Sequence, residues 1–164
     1  MNGERAALLE AGIKRRLLEA ARQLRALEQS ASTFGDDFDL SEFEHAWRSD
    51  APEDLNRANA VRAGYENVVN ACIKGAQELC ELEGWTVPNR EPMSTEALKQ
   101  LQQRGVIAAK THAAVKQAYE RRSEIQHDYV GVAARALHGA VVLVLVHAPF
   151  LLQGVAAQMR QQGT

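Results

Sequence analysis

The stretch Arg121-Arg122-Ser123-Glu124-Ile125-Gln126-His127-Asp128-Tyr129 sets an arginine five positions before a histidine and a tyrosine two positions after it. Histidine titrates near neutral pH and can take or deliver a proton, while the planar guanidinium of arginine donates several hydrogen bonds to a charge-rich phosphorane. Together they suit cleavage of a phosphodiester without metal, in which an RNA 2′-hydroxyl attacks its own phosphate. Tyr129 would orient the histidine or bind phosphate. With 14 arginines, 5 histidines and 3 tyrosines in 164 residues, chance placement yields the triplet about 1% of the time. Residues five apart on a straight helix point about 140° away from each other, so Arg122 and His127 cannot share one helical face. Either the helix breaks between them or two subunits complete the site. The competing reading pairs Arg122 with Glu120 or Glu124 at the surface and uses His127 to close a helix.

Other chemistry-bearing residues are more dispersed. Lys110, His112, Lys116, Arg121 and Arg122 make one segment locally basic, either a solvated face or a strip with a few phosphate contacts. Arg135 and His138 lie near the motif in sequence and would extend that strip, unless His138 is a satisfied core histidine. His45, His112 and His147 are too scattered to argue a metal site. Cys72 and Cys80 have no CxxC partner and read as reduced thiols of a cytosolic protein. The chain has no phosphate-binding glycine loop, HExxH helix, GxSxG elbow or EF-hand loop, so no cofactor or metal is expected.

The elements that must carry these residues read as helices almost throughout. Leu9, Ile13, Leu17, Ala20, Leu24 and Leu27 form one apolar stripe and predict a first helix over about 4–29. Residues 30–54 then hold eight acids against the single base Arg48, punctuated by Phe34, Phe38, Phe43 and Trp47. This connection reads as a solvated loop with a few anchors; Ser41 with Glu44 offers a capping box for a short helix within it. Covering a basic groove is one role its charge suggests. Asp50 with Glu53 around Pro52 opens a long helix through Leu55, Val61, Tyr65, Val69, Cys72, Ile73, Ala76 and Leu79, stopped by Gly84. Ser94 caps a short helix that Gly105 closes, and another runs from about Ile107 into 120–126. The last, from about Tyr129 to Met159, is the most apolar and is expected to be central.

The resulting fold class is all-α, an antiparallel bundle of four to five helices with an additional N-terminal helix. Residues 1–54 form a helix and acidic connection packed on the bundle of residues 55–164, in a single domain. Nearly equal numbers of basic and acidic residues, 19 and 21, leave no protein-wide positive field for nucleic acid. The N-terminus lacks an apolar core after a basic start, so no secretory signal is expected. Ala136 to Ala157 contains no Asp, Glu, Lys or Arg and has the length of a membrane span. His138, His147, Pro149 and Gln153 within it favour a buried core helix or an apolar dimer face, in a cytoplasmic protein without membrane association.

Over about residues 57–160 the chain resembles the HEPN domains, particularly the HepT-like toxins of HEPN and minimal-nucleotidyltransferase (MNT) operons. The resemblance rests on Arg62-Ala63-Gly64-Tyr65-Glu66-Asn67, Gly84-Trp85, Gly105-Val106-Ile107, the R-x4-H-x-Y motif and the apolar last helix. It implies a cytoplasmic, metal-independent endoribonuclease, with Arg122 and His127 as the catalytic pair in a cleft between the subunits of a homodimer. It also implies that an MNT-type antitoxin silences the toxin by adding AMP at Tyr129. Ser123 stands where family members often carry Asn, and Gln126 where an apolar residue is usual. Alternatives from other classes are a noncatalytic HEPN-like module that holds a nucleotide or a nucleotidyltransferase, and a helical adaptor acting through the apolar last helix.

Overall fold

The computed structural model describes residues 2–87, 94–127 and 132–162. Among them are seven helices and no strand: α1 (Gly3–Ser32), α2 (Leu40–Arg48), α3 (Pro52–Glu83), α4 (Glu96–Gln103), α5 (Ala109–Glu120), α6 (Arg122–Gln126) and α7 (Val132–Gln162). The chain is all-α, as the periodicity indicates. α1 buries Ile13, Ala20, Leu24 and Leu27 from the expected stripe. α3 sets Val61, Tyr65, Val69, Ile73 and Leu79 against the same core, whereas Leu55 at its start stays 37% exposed.

Glycine ends α3 and α4 by the same geometry. Gly84 and Gly105 adopt φ of +71° and +74°. The following amides, of Trp85 and Val106, donate back to the carbonyls of Cys80 and Leu101. This left-handed cap satisfies the last carbonyls without a Cβ clash. The expected caps differ at three places. Asp39, not Ser41, caps α2 by accepting from the Glu42 amide at 2.8 Å. Ser49, not Asp50, accepts from the Ala51 amide at 3.1 Å ahead of α3. Thr95, not Ser94, holds the N-cap position of α4, while Ser94 just before it accepts from the Glu96 amide at 3.2 Å.

α7 is central, touching every other helix except α4. Its inner face buries Ala133, Leu137, Ala140, Val141, Val144, Ala148, Leu151 and Val155, while Val142, Val146 and Phe150 remain exposed on its outer face. It is long and apolar enough to cross a membrane, a test that a core helix also passes. Its expected start at Tyr129 lies outside the described residues.

The segment 30–54 departs most from the expected solvated loop. Phe34, Phe38, Phe43 and Ala46 are buried, and α2 packs on both α3 and α7. Both cysteines are free and buried; burial pushes the Cys72 thiol up to about 12 and the Cys80 thiol up to about 11.

Close approach at α7 depends on small residues. A Cβ on Gly154 would lie 2.4 Å from the Val106 carbonyl oxygen, which the α4 cap holds against the helix. Gly154→Ala should therefore cost about 2–3 kcal/mol, because backbone must shift to admit the methyl. Gly12→Ala, with nothing within 4 Å of the added atom, should instead gain about 0.5–1 kcal/mol from helix propensity. Urea unfolding of the two variants should shift in opposite directions.

Candidate functional site

The break between α5 and α6 is where the motif acquires its geometry. Arg121, at φ −73° and ψ −7°, ends α5 and precedes the single turn of α6. Ile125 buries its side chain and anchors that turn against α7. His127 closes α6, its amide donating to the Ser123 carbonyl at 3.2 Å. The helix thus breaks before Arg122 and again at His127, not between them. Arg122 turns toward the bundle and His127 is exposed.

Arg122 takes neither surface carboxylate considered for it; among the described residues it makes no salt bridge. Its guanidinium carbon lies 5.3 Å from the centre of the Tyr119 ring, a cation–π distance. Its Nε is buried without a hydrogen-bond partner. Beneath it, the fully buried Tyr65 hydroxyl donates to the Ala118 carbonyl. Burial raises the Tyr65 hydroxyl well above the ordinary tyrosine value, opposed in part by the nearby positive charge of Arg122 and Arg121. Arg121 lies across Gly139 of α7, with Nη1 3.3 Å from where a Cβ would stand. Two guanidinium groups are thereby held by aromatic and backbone surfaces and, among the described residues, by no carboxylate. Such an arrangement leaves their donors available to an anion.

The other basic candidates fare differently. Lys110 is exposed at the start of α5, and Lys116 sits 3.8 Å from Glu120 one turn on. Desolvation, followed by Lys116 and Lys99, lowers the His112 pKa. Arg135 is drawn to the acidic segment, its Nε donating to Glu44 at 3.0 Å. His138 is held there too: Nε2 donates to the Phe38 carbonyl at 2.7 Å and the rings stack at 4.4 Å. This is the satisfied histidine, occupied within the chain. His147 pairs with buried Thr111 at 3.4 Å. Ser123 is exposed on α6, and Tyr129 lies outside the described residues. Among the described residues no three metal-ligating side chains converge.

Sequence reasoning missed Tyr119 as the partner of Arg122 and Tyr65 as the buried hydroxyl near both arginines. Tyr119 at i−3 from Arg122 was the available signal. No family model matches this chain, and no curated protein or solved structure shows significant similarity to it.

Two variants test this local account. Tyr65→Phe should cost about 1 kcal/mol for the lost buried hydrogen bond. A raised folded pKa means that the unfolded chain releases the tyrosine proton first, so stability is full below about pH 10 and falls above it. That alkaline fall, followed by urea midpoints from pH 9 to 11, should be shallower in Tyr65→Phe. His138→Ala removes both the stack and the hydrogen bond; it should cost about 2 kcal/mol and speed proteolysis near residues 35–39.

Proposed function

We propose that this protein is a metal-independent endoribonuclease of the HEPN type, with Arg122 and His127 as its working pair. The observation that carries the reading is Arg122 itself: a half-buried guanidinium fixed over Tyr119 with no carboxylate partner among the described residues, five residues before an exposed histidine at a helix end. A structural arginine would be expected to satisfy its charge on an acid, and Glu120 and Glu124 are at hand in the sequence. Here the fork is left for another anion.

In the proposed reaction the RNA 2′-oxygen attacks the adjacent phosphorus and the 5′-oxygen leaves, giving 2′,3′-cyclic phosphate and 5′-hydroxyl ends. His127 accepts the 2′-hydroxyl proton, water protonates the departing 5′-oxygen, and Arg122 with Arg121 neutralises the phosphorane. Because Arg122 is half-buried while His127 is exposed past the end of α6, a second copy would complete the cleft; the exposed Val142, Val146 and Phe150 stripe on α7 offers it an apolar face. An MNT-type partner acting at Tyr129 belongs to the same proposal, since a nucleotide two residues after His127 in sequence would add charge and bulk to the motif. A noncatalytic binding module is the second reading. It is favoured by Arg135 and His138, which would extend an RNA strip yet are engaged by Glu44 and Phe38.

The test is cleavage of total RNA by the purified protein in excess EDTA, beside His127→Ala and Arg122→Ala. Each variant should lower the rate at least a hundredfold, in keeping with loss of a general base or of a transition-state donor. Light scattering should report a dimer. Absence of cleavage by protein whose Tyr129 carries no nucleotide would favour the binding module.

A further inference from the structure

α1 and α3 run antiparallel along most of their length, and a groove of about 470 Å³ opens between them. The register is fixed by contacts at both ends. Arg16 Nε donates to Glu78 at 3.0 Å, Asn67 Nδ2 donates to Gln23 Oε1 at 3.3 Å, and Arg57 Nη2 reaches the Thr33 carbonyl at 2.8 Å. Residue numbers rise along one wall as they fall along the other. The groove is therefore lined in three levels, each set by helical spacing: Arg15 with Lys74, Glu19 with Asn70, and Gln23 with Asn67.

The three levels differ in chemistry. The first holds two exposed cations, neither with a carboxylate partner among the described residues. The neighbouring Arg16 is committed to Glu78, so Arg15 and Lys74 are the charges left over. The second level is made of acceptors. Asn70 lines the groove, and its Oδ1 is buried and receives no hydrogen bond. Glu19 faces it across the groove, 3.7 Å from Arg22 and accepting from Gln23 at 3.0 Å. Gln23 and Asn67, bonded to each other, close the far end. Gly12 and Ala71 keep the walls low.

Cations and acceptors are one helical turn apart, about 6 Å. That is the reach of a phosphate ester from its phosphorus to the hydroxyls of the sugar it esterifies. We propose that the α1/α3 groove binds a phosphorylated sugar, free or as part of a nucleotide, with phosphate between Arg15 and Lys74 and sugar hydroxyls donating to Glu19 and Asn70. A plain inorganic anion would use the first level only and leave the Asn70 acceptor unmet. A neutral sugar would forgo the cations. The groove lies on helices that do not carry Arg122 or His127, so this site stands or falls independently of the ribonuclease reading.

Titration calorimetry on the full chain with ribose 5-phosphate, ribose, inorganic phosphate and adenosine 5′-monophosphate tests the site. Ribose 5-phosphate should bind at least tenfold more tightly than ribose or phosphate. Lys74→Gln and Arg15→Gln should each weaken it at least tenfold, and Asn70→Leu should reduce its affinity toward that of inorganic phosphate. Circular dichroism should show all three variants folded, and Arg122→Ala should bind like the parent. A further gain with the nucleotide identifies it as the ligand class, and equal affinity identifies the free sugar phosphate. Ribose 5-phosphate binding no tighter than phosphate, or retained in full by Lys74→Gln, overturns the proposal.

Discussion

Covering α7 is the constraint on which the rest of the molecule depends. This helix carries no acidic residue over 31 positions, and its inner face needs neighbours on several sides. Each large aliphatic side chain buried there contributes about 1.5–3 kcal/mol. Small residues set how closely the neighbours approach: Ala133, Ala134, Ala140 and Ala148 line the buried face, and Gly154 admits the Val106 carbonyl. Because α5 and α6 are both needed to cover α7, the chain must turn between them. That turn falls at Arg121, and it is what lifts the two arginines away from an ordinary helical surface.

The surroundings of those arginines explain why they remain available. A guanidinium on a solvated helix would be expected to pair with an acid three or four residues away, for a modest gain. Lys116 does so with Glu120. Arg122 instead lies over Tyr119, and Arg121 over Gly139, surfaces that hold a flat cation without neutralising it. The Tyr65 hydroxyl donates its proton to the Ala118 carbonyl, and the Arg122 Nε is buried with no hydrogen-bond partner among the described residues. Positive charge is thus concentrated at a helix break and held there by packing.

The acidic segment acts on the same helix from the other side. Phe38 adopts a φ of +50°, a conformation usually left to glycine, in the cap that returns the Asp39 amide to the Phe34 carbonyl. Its strain is offset by burial of the ring among Phe34, Phe43 and His138 and by the hydrogen bond that its carbonyl accepts. Once Phe38 is seated, α2 is pinned across α7 and Glu44 meets Arg135. Charge that looks solvated in composition becomes, through three phenylalanines, a structural clasp.

The helices, their apolar stripes and the glycine stops at 84 and 105 were legible in the sequence, because each depends on residues a few positions apart. The spacing of Arg122, His127 and Tyr129 was equally local. The α2 anchorage was half legible: the aromatics were visible, but their burial needed α3 and α7 to receive them. Which cations would be consumed was not legible. Arg135 is taken by a carboxylate 91 positions away and His138 by a carbonyl 100 positions away. The facing of Arg15, Glu19 and Gln23 with Lys74, Asn70 and Asn67 likewise exists only once two antiparallel helices adopt one register. Periodicity along a chain determines which residues share a face. Only packing, driven by the area buried across distant segments, decides what that face meets.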